Sequence, residues 1–403
     1  MPLHLHLLYY NNTFRSPLLR SLFKTSPLFS AVCAATLALA APGAQAVDAG
    51  VTDSEIRIGA SAVLTGPLGP QTLAYGAGAK LYFESVNAAG GVNGRKIVYN
   101  QVDDGFDVPK SVENSKKLIQ DDKVFVLFQP TGTPHTMALL PLATESKTVV
   151  FGPVTGASTL RENTHHYLFH VRASYGDEAQ RIVQQLRQMG SPKVAMFYQD
   201  DGFGKTLLAE VKRAADALKL PLVAEVKVDP KNPDFKAAAE QLQKAGPTAI
   251  IMGTAGGTFS NLVKAVYATS IHPSIYGFSV ANVDTLSKDL GPQARGLVLA
   301  QIMPSVRNSS TPVVTEYLGL LRSKDTKASA SSAQFEGFVH AKLLVQGFKA
   351  AGAKLTTESF IKAMESLGEV RYDKFTARYT PQSHNGASYV ELAIVGNNGE
   401  LRY

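Results

Sequence analysis

The stretch Phe125-Val126-Leu127-Phe128-Gln129-Pro130-Thr131-Gly132-Thr133-Pro134 decides the fold. Its apolar run fits a strand buried on both faces, and the turn that follows leads into a helix start. Thr133 suits an N-cap and Pro134 the first helical position, with Met137-Ala138-Leu139-Leu140 carrying the helix on. Free backbone N–H groups and the hydroxyls of Thr131 and Thr133 then meet at the carboxyl end of a strand. Open α/β sheets bind small ligands at such places, and a helix start favours an anionic group. No general base, metal cluster or phosphate loop accompanies the turn. The site therefore reads as one that holds a small molecule without transforming it.

Outward from this stretch the pattern is strand, turn, helix, repeated. Residues 55–63, 96–102, 125–128, 148–151 and 167–171 read as strands. A helix over 72–89 carries Tyr75, Ala79, Tyr82, Phe83 and Val86 on one face, and Gly90-Gly91-Val92-Asn93-Gly94 stops it. Another helix covers 110–121. A second run starts with a helix over 177–189 capped by Asp177, then strands at 193–198, 222–228, 249–253, 274–278 and 296–301, with helices from the 199–204 turn through Leu218, over 234–245 and over 261–268. Helices over 313–321, 334–351 and 357–367 follow, and strand-like segments 371–379 and 388–395 close the chain. Strict alternation predicts mostly parallel sheets with helices on both faces, and two runs predict two lobes.

The 403 residues suffice for two medium domains, and 18% charged with 45% hydrophobic residues is an ordinary globular composition. Arg15, Arg20 and Lys24 precede an apolar run over 28–41, and Ala44-Gln45-Ala46 fits a cleavage site, so residues 1–46 read as an export signal cut before Val47. That run, about 14 residues, is short for a membrane span. The only cysteine, Cys33, lies within the signal, so the exported chain is expected to carry no disulfide. Setting the three signal cations aside leaves 37 basic against 33 acidic residues, too mild and scattered an excess to argue for nucleic acid.

The order of the pieces resembles the solute-binding component of an ABC importer of the branched-chain amino-acid (leucine/isoleucine/valine-binding protein-like) type. The resemblance rests on Leu64-Thr65-Gly66-Pro67, on Val86-Asn87-Ala88-Ala89-Gly90-Gly91-Val92-Asn93-Gly94-Arg95-Lys96 and on Asp103-Asp104. It continues in Gly152-Pro153-Val154-Thr155-Gly156-Ala157, Val171-Arg172-Ala173-Ser174, Tyr198-Gln199-Asp200-Asp201-Gly202-Phe203-Gly204 and Asp234-Phe235, and covers essentially all of residues 51–403. It implies a type I periplasmic binding protein fold of two Rossmann-like α/β lobes joined by a three-strand hinge, with crossings near Arg172, Ile302 and Ser383. Residues 47–172 with 302–383 would form lobe one, and 173–301 with 384–403 lobe two. It also implies a periplasmic, monomeric protein that closes on a small-molecule ligand by hinge bending. An ABC permease of the inner membrane would be its partner. No cofactor and no metal are expected, and no enzyme activity. A sensor of the same fold and an exported α/β enzyme are the alternatives.

In lobe one the resemblance places a ligand carboxylate at Thr131-Gly132-Thr133 and at Val154-Thr155-Gly156. N–H groups at helix starts plus hydroxyls satisfy an anion without a full counter-charge. The plainer reading is that Thr133 and Thr155 only cap their helices. The loop 65–71, ending in Gln71, should form a wall. In lobe two the expected ligand residues are Tyr175, Phe203, the Ala255-Gly256 turn and Ser279. Amino-acid-binding relatives place an acid where Ser279 stands, to pair with the ligand ammonium. Either another acid such as Asp200 or Asp284 does that, or the ligand lacks the ammonium and is an organic or aromatic acid or an amide. Asp103-Asp104 reads as a strand-end pair accepting backbone hydrogen bonds. His165, His166 and His170 lack zinc spacing, and Gly76-Ala77-Gly78 reads as close helix packing.

Overall fold

A computed structural model describes residues 48–403 apart from Pro67 and Pro192. The expected export signal, with Cys33, lies outside the described residues. Fifteen strands and eleven helices are named below in chain order.

The first sheet holds β1 (Glu55–Ala62), β2 (Lys96–Asp103), β3 (Val126–Phe128), β4 (Val149–Phe151) and β5 (Leu168–Phe169), all parallel, in the order β2-β1-β3-β4-β5. Between these strands run α1 (Gly69–Ala88), α2 (Val108–Gln120) and α3 (Thr133–Ser146). Strand side chains alternate between the faces. Val126, Phe128, Val149, Phe151 and Phe169 enter one apolar core, while Leu127, Val150 and Leu168 enter another. Phe128 and Phe151 stack at 6.3 Å, and Phe151 and Phe169 continue the row at the same spacing.

The second sheet collects β6 (Val194–Gln199), β7 (Leu222–Val228), β8 (Ala249–Gly253), β9 (Ser274–Gly277), β10 (Val298–Gln301), β14 (Glu391–Val395) and β15 (Leu401–Arg402), in the order β15-β14-β10-β9-β8-β6-β7. It is parallel from β7 to β10, and β14 and β15 add antiparallel edges. Its helices are α4 (Tyr175–Gln188), α5 (Gly202–Ala217), α6 (Phe235–Ala245), α7 (Gly256–Tyr267) and α8 (Val283–Leu290). A small antiparallel sheet of β11 (Glu369–Tyr372), β12 (Phe375–Thr380) and β13 (Ser383–Gly386) follows α9 (Pro312–Lys324), α10 (Ser332–Ala351) and α11 (Thr357–Ser366). Helices α10 and α11 and β12 bury Phe338, Phe348, Phe360 and Phe375 in the core under the first sheet. The chain thus passes between the two sheets three times: after β5, after β10 and after β13. The lobes are mixed α/β, as the alternation implies.

Helices α1 and α10 cross with their backbones touching. A Cβ added at Gly78 would lie 1.7 Å from the Gln334 carbonyl oxygen, and one at Gly337 would lie 1.9 Å from that of Tyr75. Only hydrogen fits at either position.

Four local expectations are corrected. Helix α3 begins at Thr133, so Thr133 is its first residue and Pro134 its second, and the cap is Gly132, at a φ of 105° open to glycine. The Thr133 hydroxyl bonds Thr155 Oγ1 at 2.7 Å rather than capping. Helix α4 begins two residues before Asp177; Ser174 caps it, and Asp177 completes a reciprocal capping box. Helix α8 was not anticipated, because only Leu286 and Leu290 of its eight residues are buried, too short a run for periodicity to register. Asn282 caps it and Gly291 ends it, which are the signals that mark it. Finally, 371–379 is not one strand but a hairpin, turned at Asp373 with a φ of 60°.

Candidate functional site

The carboxyl ends of the parallel strands of both lobes face one cleft of about 330 Å³. The first lobe contributes Thr65 and Gly66 after β1, Gln71, Thr72 and Tyr75 of α1, Gly105 and Phe106 after β2, Thr131 to Pro134 after β3, and Val154 after β4. The second contributes Tyr175, Gln199, Asp201, Phe203, Pro230, the turn Ala255 to Thr258, and Val280. This is the strand-end geometry at which open α/β sheets take ligands.

The two first-lobe turns are held side by side. Thr131 bridges Val154 in parallel, with the Gly132 N–H donating to the Val154 carbonyl at 3.2 Å and the Val154 N–H to that of Pro130 at 2.9 Å. Thr131 and Thr133 are almost fully buried. No side chain caps α3, and among the described residues the N–H groups of Thr133 and His135 find no acceptor. Helix-start N–H groups without an acceptor suit an anion.

Nine expected site residues reach the cleft surface: Gln71, Thr131, Gly132, Thr133, Val154, Tyr175, Phe203, Ala255 and Gly256. Three do not. Thr155 stands behind Thr133, bonded to its hydroxyl and accepting the Ala157 N–H at 3.2 Å. Gly156 is pressed against Tyr175, whose ring carbon would lie 2.6 Å from a Cβ there. Ser279 is turned toward the hinge, where it accepts from Arg172 Nη2 at 2.9 Å and donates its N–H and hydroxyl to Glu178. It lines a smaller neighbouring pocket of about 30 Å³, together with Asp284. Asp200, the other acid considered, is paired with Lys205 at 2.9 Å and Lys227 at 2.7 Å.

The walls are set by hydrogen bonds. Asp103 accepts from the Leu64 N–H at 2.9 Å, the Thr65 hydroxyl at 2.8 Å and the Gly105 N–H at 3.0 Å, so it ties the loop after β1 to the loop after β2. Those bonds, the Leu64 N–H foremost, hold its carboxyl down to about 2. Asp104 accepts from Ser61 and from the Phe106 N–H. Across the cleft, Asp201 caps α5 by accepting from the Gly204 N–H at 2.8 Å, and Gln199 Nε2 donates to it at 3.2 Å. Gln199 Oε1 in turn accepts the Ala255 N–H at 3.1 Å. Tyr175 and Phe203 meet edge to face at 5.8 Å.

Phe106 was missed, as were Gln199, Asp201 and Thr258. The strand-end rule that singled out Thr131 applies equally to Phe106, three residues past β2, and to Gln199, which ends β6. Among the described residues no three His, Cys, Asp or Glu side chains gather as a metal site.

A sequence profile described as periplasmic binding protein matches residues 55–400. A Leu/Ile/Val-binding protein homolog 3 of Brucella melitensis is 22% identical over 312 residues, covering 77% of this chain and 83% of the relative. Among solved structures, a substrate-binding periplasmic protein from Ralstonia solanacearum superposes with a TM-score of 0.80 at 29% identity, over 86% of this chain and 99% of that one. A fatty acid ABC transporter substrate-binding protein from Thermomonospora curvata superposes with a TM-score of 0.78 at 22% identity, over 88% and 92% of the two chains.

Proposed function

Since the chain belongs to the periplasmic binding protein family, we propose that it is an exported solute-binding protein. It captures a small carboxylate-bearing ligand between its lobes, unchanged, and delivers it to an ABC permease. The observation that carries the reading is the Thr131-Gly132-Thr133 turn, which lines the cleft with an uncapped helix start and with Thr133, whose hydroxyl is shared with Thr155. A carboxylate there would take hydrogen bonds from fixed donors, the charge-assisted kind that combine strength with direction. Domain closure over it would bring the Ala255 to Thr258 turn of the second lobe onto the same ligand.

A thermal-shift screen of the purified chain against amino acids, aromatic acids, aliphatic acids and their amides tests the capture step. A ligand at 100 times its dissociation constant adds about 2.7 kcal/mol of stability. Carboxylates should raise the melting temperature and the matching amides should not. Thr133→Val keeps the shape and removes the hydroxyl, and should weaken binding of the best carboxylate by about tenfold, the loss of one hydrogen bond to a charged group. Unchanged affinity in that variant, measured by calorimetry, would move the carboxylate away from this turn.

A further inference from the structure

Resting on that reading, we propose that the ligand is an aromatic carboxylic acid without an ammonium group. Its ring would pack against Phe106 of the first lobe and Phe203 of the second.

The cleft offers donors on both sides, and Asp201, the one acid among the described lining residues, serves as a helix cap. Helices α1, α3, α4, α5 and α7 all begin at its surface; Ser174 and Asp201 cap α4 and α5, while α1, α3 and α7 have no side-chain cap. Of the helices that begin elsewhere, five are capped, by Asp107, Asp234, Asn282, Ser331 and Thr356, and α9 is not. The positive ends of three uncapped helix dipoles therefore point at the ligand space, which favours a carboxylate and disfavours an ammonium. Asp201 is the one carboxylate among the described lining residues, and both of its oxygens are engaged, by Gly204 and by Gln199. Glu178 is fully buried and faces Ser279 and Arg172 behind the cleft. An ammonium would find a charged partner only by sharing Asp201 with the Gly204 N–H and Gln199.

The body of the ligand is read from the rings. Phe106 is 43% exposed, although it lines the cleft. Its backbone takes the left-handed φ of 63°, disfavoured for a bulky side chain, and its ring lies flat on His135 at 4.6 Å and 28°. Burial lowers the His135 pKa, so the support beneath the ring is a neutral one. One face of Phe106 is thus backed by His135, and the ring keeps exposed surface for a ligand. Opposite, Tyr175 is edge-on to Phe203 and itself wedged at 5.9 Å against Phe278. Two fixed aromatic walls on facing lobes suit a planar ring, because aromatic pairs gain beyond their buried area.

The experiment is calorimetry of the purified chain, stripped of bound solute, with phenylpropanoate, L-phenylalanine, cyclohexylpropanoate, octanoate and L-leucine. Phenylpropanoate and L-phenylalanine differ only in the ammonium. The acid should bind at least about 100-fold more tightly than the amino acid, and about tenfold more tightly than its saturated analogue. Phe106→Ala should weaken phenylpropanoate about tenfold while lowering the unliganded melting temperature only slightly, since much of the ring is exposed. Equal or tighter binding of L-phenylalanine or L-leucine overturns the proposal, as does preference for octanoate or an unaffected Phe106→Ala. In each of those cases carboxylate capture itself survives. Binding of none of the five would overturn both.

Discussion

Arg172→Met should lower the melting temperature of the unliganded chain by about 10 °C, and by more at pH 8 than at pH 5. The guanidinium is fully buried, with Nε 3.2 Å from Glu336 Oε1 on α10 and Nη2 2.9 Å from the Ser279 hydroxyl. Ser279 passes the contact to Glu178 on α4, at 2.7 and 2.9 Å. One cation behind the cleft therefore ties the helices of both lobes. Methionine fills the volume but strands two buried carboxylates, a change that costs about 3–5 kcal/mol. The pH dependence follows from the direction of the shifts. Burial pushes Glu178 up from 4.5 to about 7 and pushes Glu336 up as well, while Arg172 opposes both. Without Arg172 both rise further. A group whose folded pKa exceeds its unfolded one contributes stability below the unfolded value, and that stability fades as pH rises through the folded value. The wild-type chain should lose some stability between about pH 4.5 and 7 through Glu178, and the variant more, to higher pH. Adding Glu336→Gln to the variant should recover part of the loss at pH 8. Scanning fluorimetry of the three chains at pH 5 and 8 measures this. A pH-independent loss would mean that packing, not stranded charge, sets the cost.

Gly78→Ala should be worse still: loss of soluble protein, or destabilisation beyond about 4 kcal/mol. The added carbon meets a backbone carbonyl at 1.7 Å, not a side chain that could swing aside. Helices α1 and α10 would have to separate, and α1 carries Gln71, Thr72 and Tyr75 to the cleft, so any surviving protein should also bind poorly. Gly319→Ala is the control. It lies inside α9 with nothing within 4 Å of the added carbon, and should stabilise by about 0.5–1 kcal/mol. Yield and melting temperature of the two variants decide the matter, and similar values would show that the helix crossing has slack.

The alternation of strands and helices was legible because each central strand is buried on both faces and so reads as an unbroken apolar run, Val126 to Phe128 and Ala249 to Gly253 being plain instances. Elements that rest on few buried side chains were not: α8, β13 and β15 carry almost no apolar pattern. The α3 start slipped by one residue because a hydroxyl that can cap can also pair with Thr155, and sequence cannot rank those options. At the site, positions fixed by strand ends could be listed, but side-chain direction could not. Ser279 lies near the cleft yet turns to Glu178, a choice set by Arg172 more than a hundred residues earlier in the chain. Phe106 could have been marked by its place after β2, but its left-handed backbone is one that a phenylalanine rarely adopts and sequence does not signal.

The core beneath the first sheet joins residues 51–171 to residues 303–387. The part of the chain that leaves the ribosome first therefore waits for a segment made much later. Until the segment ending at Ser366 has been synthesised, the row of Phe128, Phe151 and Phe169 lacks the Phe360 ring that packs on its last two members. A nascent chain must keep that row from sticking to others, and such long-range closure is slow. A chain stalled at residue 301 should be cut readily by protease within residues 48–169, where the released protein resists.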